Sequence, residues 1–393
     1  MKKLLIVNNN MYIGGIQKAL IGLLDEICDQ YDVTLLLFHK DGALLDEIPK
    51  GVVVKETRSL YRYMGMAQRD CVTAKDKLLR GLFAGVTKIF GKRYVIRLFG
   101  KTVCRDELGT YDVVISCIQG TNDKSFYGGT AEYALDFPEA GRRVCYVHCD
   151  YAKSGTACRW NDRMYEKFDA IACVSEGVRD QFLELLPGLR EKTHAVYNPI
   201  NYQKINELAE MQPYEYASDH LNLLTVARLS PEKGIDRVIR ALAKIRAANV
   251  RYYVLGEGSA RKDIEALIRE CDLQDCVCLL GESDNPYRYM KNADLLILPS
   301  YHEAAPVVYQ EARILGLPVL STRTLSTEEM VGEQYGFIVD NTDQAIAEEL
   351  CEIIKSPTLL SMKKEALREL RYDDSAFEGQ FRALIGERIP KKS

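Results

Sequence analysis

The sequence predicts an α/β fold of two Rossmann-like domains facing across a cleft, and three observations lead there. The chain has 393 residues, too many for one ordinary core. Short apolar, strand-like runs alternate with helical patterns in two successive series, as in parallel sheets with crossover helices. Between the two series, near Asn198–Asp219, strand character weakens and Pro199 and Pro213 appear, so the linker is expected there.

Taken in order, the first series has strand-like runs at Lys3–Asn8, Val33–Phe38, Val52–Glu56, Val113–Cys117, Val144–His148, Ala170–Val174 and Thr193–Tyr197. Helical spacing falls at Ile16–Cys28 and Arg159–Phe168. The second series has strands near Leu221–Arg228, Arg251–Leu255, Val277–Leu280, Leu295–Pro299, Val319–Thr322 and Phe337–Asp340. Its helices are expected near Ile235–Ala247, Arg261–Glu270, Val307–Leu315 and Asp343–Ile354. These patterns give a first domain at 1–200 and a second at 201–371. Phe377, Phe381 and Leu384 recur at helical spacing, so 372–393 is expected to hold a crossover helix that returns to the first domain.

Hydrophobic residues make up 47% of the chain and charged residues 27%, the balance of a folded protein rather than a disordered one. With 52 basic and 56 acidic side chains the net charge is −4, which argues against nucleic acid as a partner. The apolar run Leu4-Leu5-Ile6-Val7 is too short for a secretory signal and reads as a buried strand, and no stretch approaches a membrane span in length. A cytoplasmic location is therefore expected. The twelve cysteines are scattered and read as reduced core thiols. Their tightest groupings, Cys145 to Cys149 around His148 and Cys276-Val277-Cys278, lack the paired spacing of a zinc site.

Ligands in such sheets bind beyond the carboxyl ends of the strands, so motifs just after strands carry the chemistry. Gly14-Gly15 follows the first strand and opens a helix, where backbone can approach a ligand and helix amides can meet an anion. A plain tight turn explains the pair equally well. In the second series Arg228 and Lys233 bracket the turn after a strand, a cation pair suited to a pyrophosphate. Gly256-Glu257-Gly258 is a further glycine turn, weak by itself. The most informative run is Pro299-Ser300-Tyr301-His302-Glu303-Ala304-Ala305-Pro306-Val307-Val308-Tyr309-Gln310-Glu311. Pro306 suits a helix start. Glu311 then lies roughly 7.5 Å farther along the helix axis. One carboxylate sits at the mouth, the other reaches farther back, and the amides of Val307 and Val308 between them can meet a phosphate.

This pairing of Glu303 with Glu311, followed by Ala312 and Leu315-Gly316-Leu317-Pro318-Val319, resembles the donor motif of retaining GT-B glycosyltransferases, the glycosyl transferases group 1 set. Gly14-Gly15 with Gln17, Val174-Ser175, Asn198-Pro199, Arg228 with Lys233, and Gly256-Glu257-Gly258 match the same pattern in order. The resemblance implies transfer of a hexose-type sugar from a nucleotide-diphosphate donor, UDP-linked, to a polysaccharide precursor or lipid-linked glycan, with retention of configuration. It implies that Arg228 and Lys233 hold the diphosphate in place of a metal ion, so that no cofactor is needed. Glu311 would bind the ribose, Glu303 the sugar, Gly14 and Gly15 would close on the phosphates, and His148 would touch the donor sugar. Ala304-Ala305-Pro306 departs from the Gly-aromatic-Gly common after the first glutamate, which leaves the sugar's identity open. A nucleotide-sugar epimerase of the same fold and a non-catalytic relative are the alternatives. The first is not expected to show the paired glutamates, and the second tends to lose one of the charged residues kept here.

From Lys75 to Arg105 there are nine basic side chains and one acid, a local charge of +8. Leu78, Leu79, Leu82, Phe83, Val86, Ile89 and Phe90 recur there at helical spacing. Such a segment suits either an anionic membrane at the inner face or an ordinary helix with its apolar side on the core.

Overall fold

The computed structural model describes residues 1–105, 109–370 and 375–387. Its chain divides into two units, Met1–Pro199 with Asp374–Ser393, and Ile200–Asp373. The expected crossover segment at 372–393 lies outside the described residues at 372–374 and 388–393; the rest is the helix Ser375–Leu384.

Among the described residues the first unit has seven strands: β1 (Lys3–Asn8), β2 (Asp32–Leu37), β3 (Val53–Glu56), β4 (Thr110–Ser116), β5 (Glu139–Val147), β6 (Ala170–Cys173) and β7 (Thr193–Ala195). They pair in parallel in the order β3-β2-β1-β4-β5-β6-β7. The second unit has β8 (Leu221–Val226), β9 (Val250–Leu255), β10 (Val277–Gly281), β11 (Leu295–Leu298), β12 (Val319–Thr322) and β13 (Phe337–Val339), ordered β10-β9-β8-β11-β12-β13. In each sheet the order reverses once, between β1 and β4 and between β8 and β11. A ligand crevice belongs at such a reversal. The central strands are nearly continuous apolar runs because both faces are covered; β11 (Leu-Leu-Ile-Leu) is buried at every position, whereas the edge strand β3 is mostly exposed.

Helix starts follow local chemistry. Thr73, Ser175, Asn201 and Thr342 each accept a backbone N–H with the side chain, at 3.0–3.1 Å. The Asn201 cap starts the helix Tyr202–Glu210, which buries Ile205 and Ala209. That helix occupies the stretch expected to be a linker, a correction the single N-cap explains. In the first unit, Phe377, Phe381 and Leu384 from the C-terminal helix are buried. Phe381 meets the Tyr31 ring edge-on at 5.8 Å, and the Arg142 guanidinium donates to the Leu384 carbonyl at 2.8 Å.

The basic stretch is not one helix. Gly91, at φ 84°, breaks it into Ala74–Phe90 and Lys92–Gly100. A Cβ at Gly91 would lie 2.6 Å from the Asp123 carboxylate, so only glycine fits that elbow. Lys92 is fully buried: its ammonium donates to the Thr121 carbonyl at 3.1 Å and lies 3.7 Å from Glu132.

Candidate functional site

In the second unit two loops converge at the sheet reversal. The loop after β8 carries Arg228, Ser230, Glu232 and Lys233; the loop after β11 carries Ser300, Tyr301 and Glu303. Backbone fixes the approach: the Tyr301 N–H donates to the Glu232 carbonyl at 3.0 Å. Gly234 has φ 64°, and a Cβ there would lie 2.3 Å from the Pro299 carbonyl oxygen. Glycine at 234 is therefore what lets the first loop lie on the second.

The result is an ion pair between the two loops. Lys233 Nζ donates to Glu303 Oε1 at 2.5 Å, and Ser300 Oγ donates to the same oxygen at 2.7 Å. The pair is shielded, with the Lys233 side chain 22% exposed and that of Glu303 11%. Arg228 is different. It is 71% exposed and reaches only Glu232, at 3.0 Å. Burial pushes the Glu232 carboxyl up, but bonds from Ser230, its own backbone and Arg228 outweigh this and hold its pKa below the ordinary value.

Glu303 leads into the helix Val307–Ile314, which starts after Pro306 and has no side-chain cap. The first-turn amides of such a helix, here Val307 and Val308, carry its positive dipole end. Glu311 lies farther along, 2% exposed, and accepts the Tyr287 hydroxyl at 2.9 Å. Gly256 underlies the site: at φ 149°, a Cβ would sit 1.9 Å from the Ala227 carbonyl oxygen. Gly258 presses on the Leu229 carbonyl in the same way, at 2.2 Å. These two glycines are thus required by the backbone beneath the β8 loop.

Sequence reasoning missed the brace behind the site. Arg237 is fully buried. It donates to the Pro299 carbonyl at 2.9 Å, to Asn341 Oδ1 at 2.7 Å and to Asp343 at 2.7 Å, and stacks on Tyr301 with 4.5 Å to the ring centroid. Asn341 donates in turn to the Tyr301 carbonyl at 2.8 Å. The signal was present: Arg237 sits on the face of a helix that also buries Ile235, Val238, Ala241 and Leu242, and a cation on a buried face needs partners.

The remaining candidates belong to the first unit. Gly14 is extended, at φ −176°, and caps the helix Gly15–Ile27. A Cβ at Gly15 would meet nothing within 4 Å, so neither packing nor backbone conformation demands glycine there. Asn10 steadies this loop from below, accepting Gln17 at 3.4 Å and donating to the Gly65 carbonyl at 2.7 Å. His148 follows β5. Its N–H donates to Gln119 Oε1 at 3.2 Å and its ring stacks on Tyr146, 5.6 Å between centroids. The side chain keeps some exposure, yet the ring lies deep enough that burial pulls its pKa down to about 4. Among the described residues no three His, Cys, Asp or Glu side chains converge as a metal site would.

Two doubly wound parallel sheets, one in each unit, match the GT-B-type architecture of solved glycosyltransferases. Residues 208–370, within the second unit, match the model of the family glycosyl transferases group 1. The chain is similar to an N-acetylgalactosaminyltransferase of Campylobacter jejuni named for a diphospho-undecaprenol acceptor, 28% identical over 179 residues, 45% of this chain and 48% of that protein. It is also similar to the putative colanic acid biosynthesis glycosyltransferase WcaL of Salmonella typhimurium, 31% identical over 181 residues, 42% of this chain and 45% of that one. The matches thus span less than half the length of these curated relatives. The likeness of fold reaches well beyond the matched segment: Anabaena HepE, solved in complex with UDP, superposes with a TM-score of 0.66 over 98% of this chain and 99% of its own, at 20% identity.

Proposed function

We propose that the protein is a glycosyltransferase of polysaccharide or lipid-linked glycan assembly that moves a hexose-type sugar from a UDP-linked donor with retention of configuration. The observation that carries this reading is the shielded Lys233–Glu303 pair at the sheet reversal, with an uncapped helix N-terminus beside it. Lysine has three donors, so Lys233 can keep Glu303 in place while offering a proton to a diphosphate oxygen. Arg228, mostly exposed, turns from Glu232 to the same group. The amides of Val307 and Val308 add their dipole. Charge developing on the departing diphosphate then meets these cations, which lower the barrier, and Lys233 is already held in place by Glu303. On this reading those cations take the part of a metal ion, and no cofactor is needed.

Glu311 is assigned to the ribose hydroxyls and Glu303 to the sugar. Gly14 and Gly15 are assigned to the phosphates, a role supported by the open space beside Gly15. Neutral His148 is assigned to the donor sugar; a pKa near 4 keeps it an uncharged hydrogen-bonding group at neutral pH. The UDP-bound HepE structure and the lipid-diphosphate acceptor in the name of the Campylobacter relative support the donor and acceptor classes. A cytoplasmic setting follows from such a donor. The test is mass spectrometry of products from a panel of nucleotide-sugars with lipid-diphosphate acceptors, in the presence and absence of EDTA. Sugar transfer that survives EDTA is expected; turnover lost in EDTA and restored by manganese would reject the metal-free mechanism, and no transfer with any donor would reject the function.

A further inference from the structure

The helical elbow around Gly91 leaves apolar side chains in solvent that a surface helix ordinarily hides. On the helix Ala74–Phe90, Leu78, Leu82 and Ile89 are 71%, 57% and 70% exposed, and Phe90 at its end 67%. Past the elbow, Tyr94 and Leu98 on Lys92–Gly100 are 57% and 40% exposed. Positions 78, 82 and 89 fall on one helical face. Phe90 and Tyr94 hold each other with ring centroids 5.7 Å apart across the turn. The opposite faces bury Phe83, Val95, Ile96 and Phe99, so both helices are anchored to the unit, while among the described residues the apolar side chains of their outer faces stay exposed.

Cations flank this surface. Lys75, Lys77, Lys88, Arg93, Arg97 and Lys101 are exposed. The acid of the stretch, Asp76, is engaged by Thr73 at 2.6 Å and Tyr63 at 2.9 Å. Four of the nine basic residues are engaged within the unit: Lys92 in its buried pair, Arg80 on the Met66 carbonyl and Gln68, Arg105 on the Asp136 carbonyl and the Phe137 ring, and Arg93 on Asp123 and the Trp160 ring. What remains is a patch of bulky apolar groups ringed by positive charge within a chain of net charge −4.

We infer that the outer face of Ala74–Gly100 docks on an anionic lipid bilayer, with Ile89, Phe90 and Tyr94 at the elbow entering the headgroup boundary. Apolar groups at a convex turn with basic neighbours suit an interface that is anionic outside and hydrocarbon beneath. A second copy of the chain fits poorly, because an isologous contact would set this positive ring against itself. The inference concerns where the protein sits and stands apart from the transfer reaction.

The experiment is co-sedimentation of the full chain with phosphatidylglycerol-containing vesicles and with phosphatidylcholine vesicles, at low and high salt. Wild type is compared with Ile89→Ser/Phe90→Ser and with Lys88→Glu/Arg97→Glu. All four positions are exposed, so the variants are expected to melt as wild type does and to keep its affinity for UDP. Wild type should bind the anionic vesicles, and high salt should release it, since exposed charges are screened beyond roughly 8–10 Å already at physiological ionic strength. Each double variant should bind at least about tenfold more weakly. The inference is overturned if wild type binds anionic vesicles no better than neutral ones, or if both variants bind as wild type does. It is equally overturned if sedimentation shows a wild-type dimer that the apolar variant dissociates.

Discussion

Lys233→Ala separates a cation that binds the leaving group from one that only holds Glu303. The pair is shielded, so it stands above the value of about 0–1 kcal/mol usual for exposed ion pairs. Without the ammonium, Glu303 Oε1 keeps only the Ser300 hydroxyl. Folding stability should fall by about 1–3 kcal/mol, the cost of stranding a largely buried acceptor. Turnover should suffer more. A fixed charge on the leaving diphosphate contributes about 2–4 kcal/mol, a loss of roughly 30- to 900-fold in kcat/KM. The assay is steady-state release of the nucleoside diphosphate, run with thermal melting on the same samples. Glu303→Gln and the double variant complete a cycle. If Lys233 acts only through Glu303, the double variant loses no more than Glu303→Gln alone. Lys233→Ala within roughly threefold of wild type, about 0.65 kcal/mol, would refute the diphosphate assignment.

Four further outcomes are expected. Glu311→Gln keeps an acceptor for the Tyr287 hydroxyl, so the melting temperature should hold while UDP affinity falls by about tenfold, 1.4 kcal/mol; calorimetry that shows unchanged affinity ends the ribose role. Gly15→Ala should leave stability within about 0.5 kcal/mol, since its Cβ meets nothing, and yet reduce kcat/KM; full activity would make Gly15 an ordinary helix start. Arg237→Met strands the Pro299 carbonyl and Asn341, so thermal melting should show a loss of about 2–4 kcal/mol; an unchanged melt would show the brace to be dispensable. His148 has a folded pKa of about 4 against an ordinary 6.5, so the unfolded chain binds more protons between those values and stability should rise with pH across that window and be lost on acidification, by at most about 3 kcal/mol. Denaturant melts from pH 4 to 7 should show that slope flattened in His148→Gln; an identical slope would mean other groups carry it.

Most of the strands among the described residues were legible because they are short apolar runs between helical patterns, and parallel strands buried on both faces admit little else; the edge strands β3 and β7 are more polar. The loops that carry Arg228, Lys233 and Glu303 were legible because they follow those strands directly, and the helix of Glu311 because Pro306 marks its start. Three things were not. Gly91 reads as one glycine inside a helical pattern; only its positive φ against Asp123 shows why the helix breaks there. Lys92 looks like one more surface cation, since nothing local signals that Glu132 and Thr121, distant in sequence, wait beside it. The helix Tyr202–Glu210 hid in the presumed linker because two buried positions make a faint periodicity. In each case the deciding partner is tertiary, or the local pattern is too short to speak.

The buried aromatic pair Phe377 and Phe381 has a consequence for how the chain is made. These side chains help complete the core of the first unit, yet the ribosome delivers them only after the whole of Ile200–Asp373. At 5–20 residues per second that is a wait of roughly 10–35 s. Through that interval the nascent first unit presents the surface around Tyr31 and Arg142 that the last helix will cover. All seven described strands of the first unit are made before the second unit begins, and only the helix Ser375–Leu384 that covers them is added after that unit is complete.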